Sequence, residues 1–381
     1  MFKKKMKYTK RFLFITTVCL ILTACAETKI LERISLVTLI GYDKEEEKLS
    51  TTAVVRQISP DFENKVEIHS EIAETSKGAR FKINLDAAKK VEAGQVRVVL
   101  FGEDLAKEGI EEEIHTLSIN PEIATSVYLG IVEGKSKTLL ESNFKNITDI
   151  GQHVYNLIDH NIQQQQMISS TLHEIERDVH SPIRDFAIPT LKKEGEYIDI
   201  NGIALFKEGK LVGKLPTADV FYIMLLRKNI RDGTLQLVLP GDLVNSSKNP
   251  PENPPEELPI AVDAINSKRK LKVTDHEKNE IDLNITLDCR LLEIHSSLSL
   301  EDKETTEKIE KAMNKKMEAE IKRIIKYSQE VNSDIFGFGE HFSAHVRGSK
   351  LNTEEKWHNL YPKMKVNVKV DTEIIRNGVF E

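Results

Sequence analysis

Three places in this chain bring together residue types whose spacing could do chemistry. At the first, the thiol of Cys25 follows Leu22-Thr23-Ala24, the apolar stretch from Phe12 to Leu22, and the basic residues Lys3, Lys4, Lys5, Lys7, Lys10 and Arg11. A basic segment, a short apolar segment and a small-residue cleavage site are the parts of a secretory signal. Small residues at Thr23 and Ala24 let a peptidase hold the backbone. A thiol at the cut can take a diacylglyceryl group before it becomes the new amino terminus. Residues 1–24 are therefore expected to form a lipoprotein signal peptide, and Cys25 to be the lipid attachment site. The apolar stretch is too short to span a bilayer, whose core needs about 20 residues of helix. Two acyl chains hold stably where one is marginal, each buried methylene adding about 0.8 kcal/mol.

The second place is His341 and His345, which would share a helix face and could start a metal site. Zinc needs a third protein ligand, and no HExxH motif or suitably spaced Cys or Asp accompanies the pair, so no metal is expected. The third is Asp334-Ile335-Phe336-Gly337-Phe338-Gly339-Glu340. Its GxG follows a helix and lacks the third glycine of a dinucleotide loop, so a phosphate cradle and a nucleotide cofactor are not expected. The glycines instead let the backbone turn tightly with both phenylalanines inward.

No GxSxG elbow, P-loop or paired CxxC occurs, so nucleophilic catalysis has no visible carrier. With 60 acidic residues, nothing singles out two of them as an acid/base pair. A single tryptophan, Trp357, in a chain that is 6% aromatic argues against a sugar-stacking cleft. The chain is expected not to be an enzyme and to carry no cofactor. Cys19 leaves with the signal and Cys25 is acylated, which leaves Cys289 as the one free thiol of an exported chain, expected to be a buried structural residue.

The elements that position these residues follow from 381 residues, 40% apolar and 30% charged, a profile that excludes a disordered or polytopic membrane chain. Removing the six basic residues of the signal takes the net charge from −6 to −12, so the mature surface is acidic and offers no footprint for nucleic acid. Ile34 to Gly41 and Thr51 to Ile58 read as a β-hairpin around an acidic turn, Phe81 to Val91 as a helix, Val96 to Phe101 as a buried strand, and Leu105 to Ile114 as one helix. A strand at Ala124 to Val132 precedes two helices between Ile147 and Val179.

Beyond Pro189 come a strand, glycine turn and strand (Tyr197 to Leu215), a helix through Val220 to Leu226 and a strand from Leu235 to Leu239. Residues 250–259 hold five prolines and read as a linker. Strands near Ile260 to Ile265, Lys270 to Val273 and Ile281 to Ile294 lead to one long helix, about 305–331, and Val366 to Ile375 closes the chain as a strand. The helix stripe Ile309, Met313, Met317, Ile321, Ile324, Ile325 is expected to pack on those strands as core. Strand runs with helices set beside them predict an α+β protein of about three domains with mixed or antiparallel sheets covered by helices. The expected divisions are residues 25–190, a small middle domain at 191–257 ending in the proline-rich linker, and 258–381 with the long helix.

These pieces, in this order, resemble the Ger(x)C lipoprotein family, the C subunits of spore nutrient germinant receptors. The blocks that carry the resemblance are the lipobox with Gly41-Tyr42-Asp43, and Phe101-Gly102-Glu103-Asp104-Leu105-Ala106-Lys107-Glu108-Gly109-Ile110. Further blocks are Gly202-Ile203-Ala204-Leu205-Phe206 with Leu211-Val212-Gly213-Lys214-Leu215, and Asp334 to Glu340 with Trp357. The resemblance implies a non-enzymatic, three-domain lipoprotein on the outer face of the spore inner membrane, beside integral-membrane A and B subunits, in a complex that senses nutrients and triggers germination. Two departures stand out: Ala26-Glu27-Thr28 follows Cys25 where the family has Trp-Asp, and the proline-rich 250–259 stretch looks like an insertion. A solute-binding lipoprotein feeding a transporter is the alternative class, and it would need two α/β lobes around a hinge and a cleft.

Overall fold

The computed structural model describes residues 34–57, 65–246, 253, 255–294, 303–346 and 351–375. The expected signal peptide, Cys25 and residues 250–252 and 254 of the proline-rich stretch lie outside these residues.

Two sheets organise the chain. The first has nine strands, in the order β3-β2-β1-β5-β6-β7-β8-β9, with β4 beside β1 off that path. Its middle is parallel: β1 (Ile34–Glu45), β5 (Val98–Gly102), β6 (Tyr128–Val132) and β7 (Ala187–Glu194) run the same way. Antiparallel strands flank it, β2 (Lys48–Gln57) and β3 (Lys65–Ala73) on one side, β8 (Tyr197–Lys207) and β9 (Lys210–Pro216) on the other. Period-two side chains sort neighbours to opposite faces. Val99, Phe101, Leu129 and Ile131 thus meet helices α2 (Glu103–Glu108), α3 (Glu111–Ser118) and α6 (Leu172–Val179), while Val98, Leu100 and Val132 meet α4 (Ser136–Leu140) and α5 (Ile150–Gln163). Burial on both faces is why β5 and β6 read as unbroken apolar runs.

The second sheet is β10 (Thr234–Pro240), β11 (Glu257–Asp275), β12 (Glu280–Glu293) and β13 (Lys365–Ile374), antiparallel except for the parallel β12–β13 pair. The long helix α8 (Lys303–Glu330) lies on it through the predicted stripe from Ile309 to Ile325, all of it buried. Helix α7 (Val220–Arg227), buried all round, joins the sheets. Ile203 and Leu205 of β8 share a core with α7, α8 and the second sheet, whereas their neighbours Ala204 and Phe206 face the first sheet's core. Strand β8, in the first sheet, therefore contributes side chains to both cores.

This is the expected α+β class with mixed sheets and one long C-terminal helix. Several boundaries differ from the sequence reading. The helix expected at Phe81 to Val91 is α1 (Ser76–Asp86), started by Thr75, whose hydroxyl accepts from the Gly78 N–H, and Lys90–Glu92 forms the short strand β4. Gly109, at φ +137°, splits the helix expected over Leu105 to Ile114 into α2 and α3. The two strands expected at 260–265 and 270–273 are the single β11, bent by an irregularity between Ala264 and Asn266. Pro259 sits within β11 opposite Val238, at the end where β11 borders only β10. The boundary expected after residue 190 falls inside β7. Strands expected of a middle unit are divided, β8 and β9 going to the first sheet and β10 to the second.

Candidate functional site

The sequence blocks singled out above meet at two buried junctions. The first sits where the parallel strands β1 and β5 end, the place at which open α/β sheets commonly bind ligands. Tyr42 pairs with Phe101 across the strands and their rings lie 5.9 Å apart. Asp43, fully buried, turns its carboxylate into the start of α4: Oδ1 accepts from the Ser136 N–H at 2.7 Å, and Oδ2 accepts from the Ser136 hydroxyl and the Lys137 N–H, both at 2.8 Å. A β-carbon on Gly102 would stand 2.1 Å from Oδ1, and one on Gly41 2.5 Å from the Ser136 hydroxyl, so both glycines are required by close approach. The chain's own carboxylate fills this junction.

The second junction joins the two sheets. Asp185 precedes β7, and Asp334 follows α8; the Asp334 N–H donates to Asp185 Oδ2 at 2.7 Å and the Asp185 N–H to the Asp334 carbonyl at 3.1 Å. The Asp334 carboxylate accepts from the N–H groups of Phe336 and Phe338, each at 3.2 Å, and of Gly339 at 2.8 Å. Gly337, at φ +74°, makes that wrap possible and starts helix α9 (Phe338–His345). His358, on α10 (Glu354–Leu360), puts Nε2 at 3.2 Å from both Asp185 oxygens and Nδ1 at 3.2 Å from Glu208 Oε1. Glu208 reaches it from the two-residue turn Glu208-Gly209, both at positive φ, between β8 and β9.

Only the doubly protonated imidazolium donates to both carboxylates. Burial opposes that charge, yet the hydrogen bond and charge of Asp185 outweigh it and hold His358 above the usual histidine range. Burial, and then the facing charge of Asp185, push Asp334 up to about 6 against the pull of its backbone donors. Arg184 braces the same joint, donating from Nη1 to Glu340 Oε2 at 2.8 Å, with Nε 3.4 Å from Asp178 Oδ2. Arg227 and Arg269 stand close by, each pushed down to about 10 by burial. Around the charges Phe186 stacks on Phe206 (4.6 Å) and Trp357 packs tilted against Tyr361 (5.4 Å). A β-carbon on Gly339 would meet the Ile183 carbonyl at 2.2 Å and the Trp357 ring at 2.7 Å. Nearby, Gly213 of β9 lets the Tyr327 hydroxyl of α8 approach and accept from the Lys214 N–H at 3.1 Å.

Of the residues the sequence pointed to, Cys25 lies outside the described residues. Cys289 is buried in β12, and burial pushes its thiol up to about 12, the behaviour of a structural cysteine. The His341 and His345 rings stack 4.0 Å apart, and His345 Nδ1 lies 2.8 Å from the His341 carbonyl, a local contact that occupies one ring nitrogen. The two phenylalanines of the GxG block are buried as expected. Sequence reasoning missed Asp43, Asp185, Asp334, Glu208 and His358 as a set. The available signal was carboxylates standing beside apolar residues, as in Asp185-Phe186 and Asp334-Ile335-Phe336. No described helix is long and apolar enough to cross a membrane.

Residues 27–193 match the family model for the spore germination protein N-terminal domain, and residues 201–378 match that for spore germination B3/GerAC-like C-terminal domains. The gap between the two matches falls within the β7–β8 hairpin, where the first sheet is continuous. The spore germination protein GerQC of Bacillus cereus is 27% identical over 374 residues, covering 98% of this chain and all of that one. The crystal structure of the GerBC protein superposes with a TM-score of 0.58 at 15% identity, covering 88% of this chain and 97% of that one, which shows a shared fold. With both halves matched in order over nearly the whole chain, the chain belongs to the Ger(x)C family of spore germination proteins.

Proposed function

We propose that this chain is a non-catalytic, lipid-anchored C subunit of a spore nutrient germinant receptor. Acylated Cys25 holds it on the extracytoplasmic face of the spore inner membrane, beside integral-membrane A and B subunits. The observation that carries the reading is the enclosed joint. Asp185, Asp334 and His358 are the type of cluster that does acid/base chemistry when open to substrate. Here all three are buried and partnered by protein groups, so they bind the two sheets into one body. A solute-binding lipoprotein would instead need two lobes free to close on a cleft, and the core shared through β8 opposes that. The name of the GerQC relative, a spore germination protein, supports the same assignment. The tether's physical work is to raise the local concentration of the folded part at the membrane.

The test is nutrient-triggered germination of spores lacking this chain, in a background without other receptors of the family, across amino acids, sugars and nucleosides. Loss of response to at least one class is expected; an unchanged response to all of them removes the receptor reading. Cys25→Ala should move the protein to the soluble fraction and impair germination, and membrane retention of that variant refutes the tether.

A further inference from the structure

Helix α1 sets exposed apolar side chains among basic ones. Residues 76–90 hold five basic residues, Lys77, Arg80, Lys82, Lys89 and Lys90, and a single acid, Asp86, in a chain whose mature form is acidic. Along α1, Lys77, Phe81 and Leu85 recur at every fourth position and so share one line, with Lys82 beside it. All four are exposed. Phe81 at 66% and Leu85 at 69% are the two most exposed large apolar side chains among the described residues. Lys82 donates to the Ile72 carbonyl at 2.6 Å, a neutral partner that leaves its charge in place. Opposite α1 stands Ile119, 59% exposed, on a wall tied to the helix by the 2.7 Å pair of Arg80 with Glu122. Between the walls an apolar cleft of about 480 Å³ runs over Val37, Ala53 and Val91.

The tether reaches the fold at this corner. Ile34, the first residue of β1, pairs with Lys90 of β4, four residues beyond the end of α1. Cys25 lies nine residues before Ile34, at most about 30 Å of extended chain. A single attachment point leaves a folded body free to rotate about it, whereas a second contact fixes which faces meet the membrane and which meet neighbouring proteins. Exposed apolar side chains among lysines are the pattern that settles into the headgroup layer of an anionic bilayer.

We propose that the α1 face is a membrane-contact surface, with Phe81 and Leu85 entering the headgroup region of an anionic bilayer while Lys77 and Lys82 meet its phosphates. The location of this surface rests on acylation of Cys25, and the experiment separates the two ideas. The full-length chain is purified from membranes with Leu85→Cys or, as a control on α8, Glu330→Cys, and each thiol is labelled with a nitroxide; buried Cys289, its thiol pushed up to about 12, does not compete. The protein is reconstituted on vesicles of phosphatidylcholine alone or mixed with phosphatidylglycerol, and mass analysis of the amino-terminal peptide reports the acyl group.

On anionic vesicles the label at position 85 should become oxygen-accessible and shielded from an aqueous relaxation agent, while the label at 330 stays aqueous. Lys77→Glu with Lys82→Glu should lower the immersed-to-free ratio at position 85 by at least about tenfold. A label at 85 that stays as aqueous as that at 330 overturns the proposal, and so does equal shielding on neutral vesicles. An unacylated peptide sinks the tether alone. In that case co-sedimentation of the same protein with anionic but not neutral vesicles supports the α1 surface, and co-sedimentation with neither overturns it.

Discussion

Asp43 and Asp334 are both buried and both accept three hydrogen bonds, yet they do different work. Asp43 takes its donors from Ser136 and Lys137, 93 and 94 residues away, so it closes only once β1, β5 and β6 have assembled. It is a staple within one sheet. Asp334 takes its donors from residues two to five positions ahead, so the loop supplies its own cradle, and its neighbour across the joint is a second carboxylate, Asp185. A staple matches a charge to donors. The joint instead sets charge against charge and relies on His358 to offset it, and this couples the contact between the two sheets to protonation.

Removing the cradled group should therefore cost most. Asp334→Ala strands three buried N–H groups, each worth about 1 to 3 kcal/mol, and the loss of some repulsion with Asp185 recovers part of that. A net loss of about 4 kcal/mol in chemical denaturation is expected. A loss under about 1 kcal/mol would mean that water reaches the cradle. The pH dependence sharpens the contrast. With its folded value raised to about 6 from 3.8, Asp334 contributes stability that is fully present below 3.8 and lost as pH rises through about 6. The swing is about 3 kcal/mol. Asp334→Asn sets an amide NH₂ against one of the buried N–H donors and is destabilising outright, but its stability relative to the parent should improve by that amount between pH 4 and 7.5. Parallel curves would show that Asp334 carries no such linkage. His358 acts in the same direction, since its raised folded value gives stability that is present below about 6.5 and fades as pH rises through the folded value.

The staple predicts a coupling instead of a slope. Gly102→Ala places a β-carbon 2.1 Å from Asp43 Oδ1 and should cost about 2 to 3 kcal/mol. In an Asp43→Ala background the same change should cost less than half as much, because its obstacle is gone. Equal costs in a double-mutant cycle would place the strain elsewhere, for instance at the Gly134 carbonyl 3.1 Å away.

What could be read in advance follows the range of the physics. The hairpin of β1 and β2 and the stripe of α8 were legible because period two and period 3.6 are local properties of sequence. The burial of Phe336 and Phe338 around a turning glycine was legible for the same reason. The parallel order β1-β5-β6-β7 was not, since each strand's apolar run is equally compatible with other neighbours. The contact of His358 with Asp185 spans 173 residues, and no spacing rule reaches that far. The same holds for the division of the expected middle segment between the two sheets. Cys25 differs again. A peptidase reads linear sequence, so its chemistry was legible without any fold.

The smallest expected effect tests whether burial, and not polarity as such, makes the joint costly. Tyr327 accepts from the Lys214 N–H at 3.1 Å, but Lys214 lies on β9, the last strand of the first sheet, where the bond is only partly buried. Tyr327→Phe keeps the ring against Gly213 and removes only the hydroxyl. Water can then satisfy the Lys214 N–H, so the loss should be about 1 kcal/mol and independent of pH between 4 and 7.5. A loss as large as that of Asp334→Ala would mean that the α8–β9 contact is as sealed as the carboxylate cradle. The contrast would then lie in the number of donors each group satisfies and not in their access to solvent.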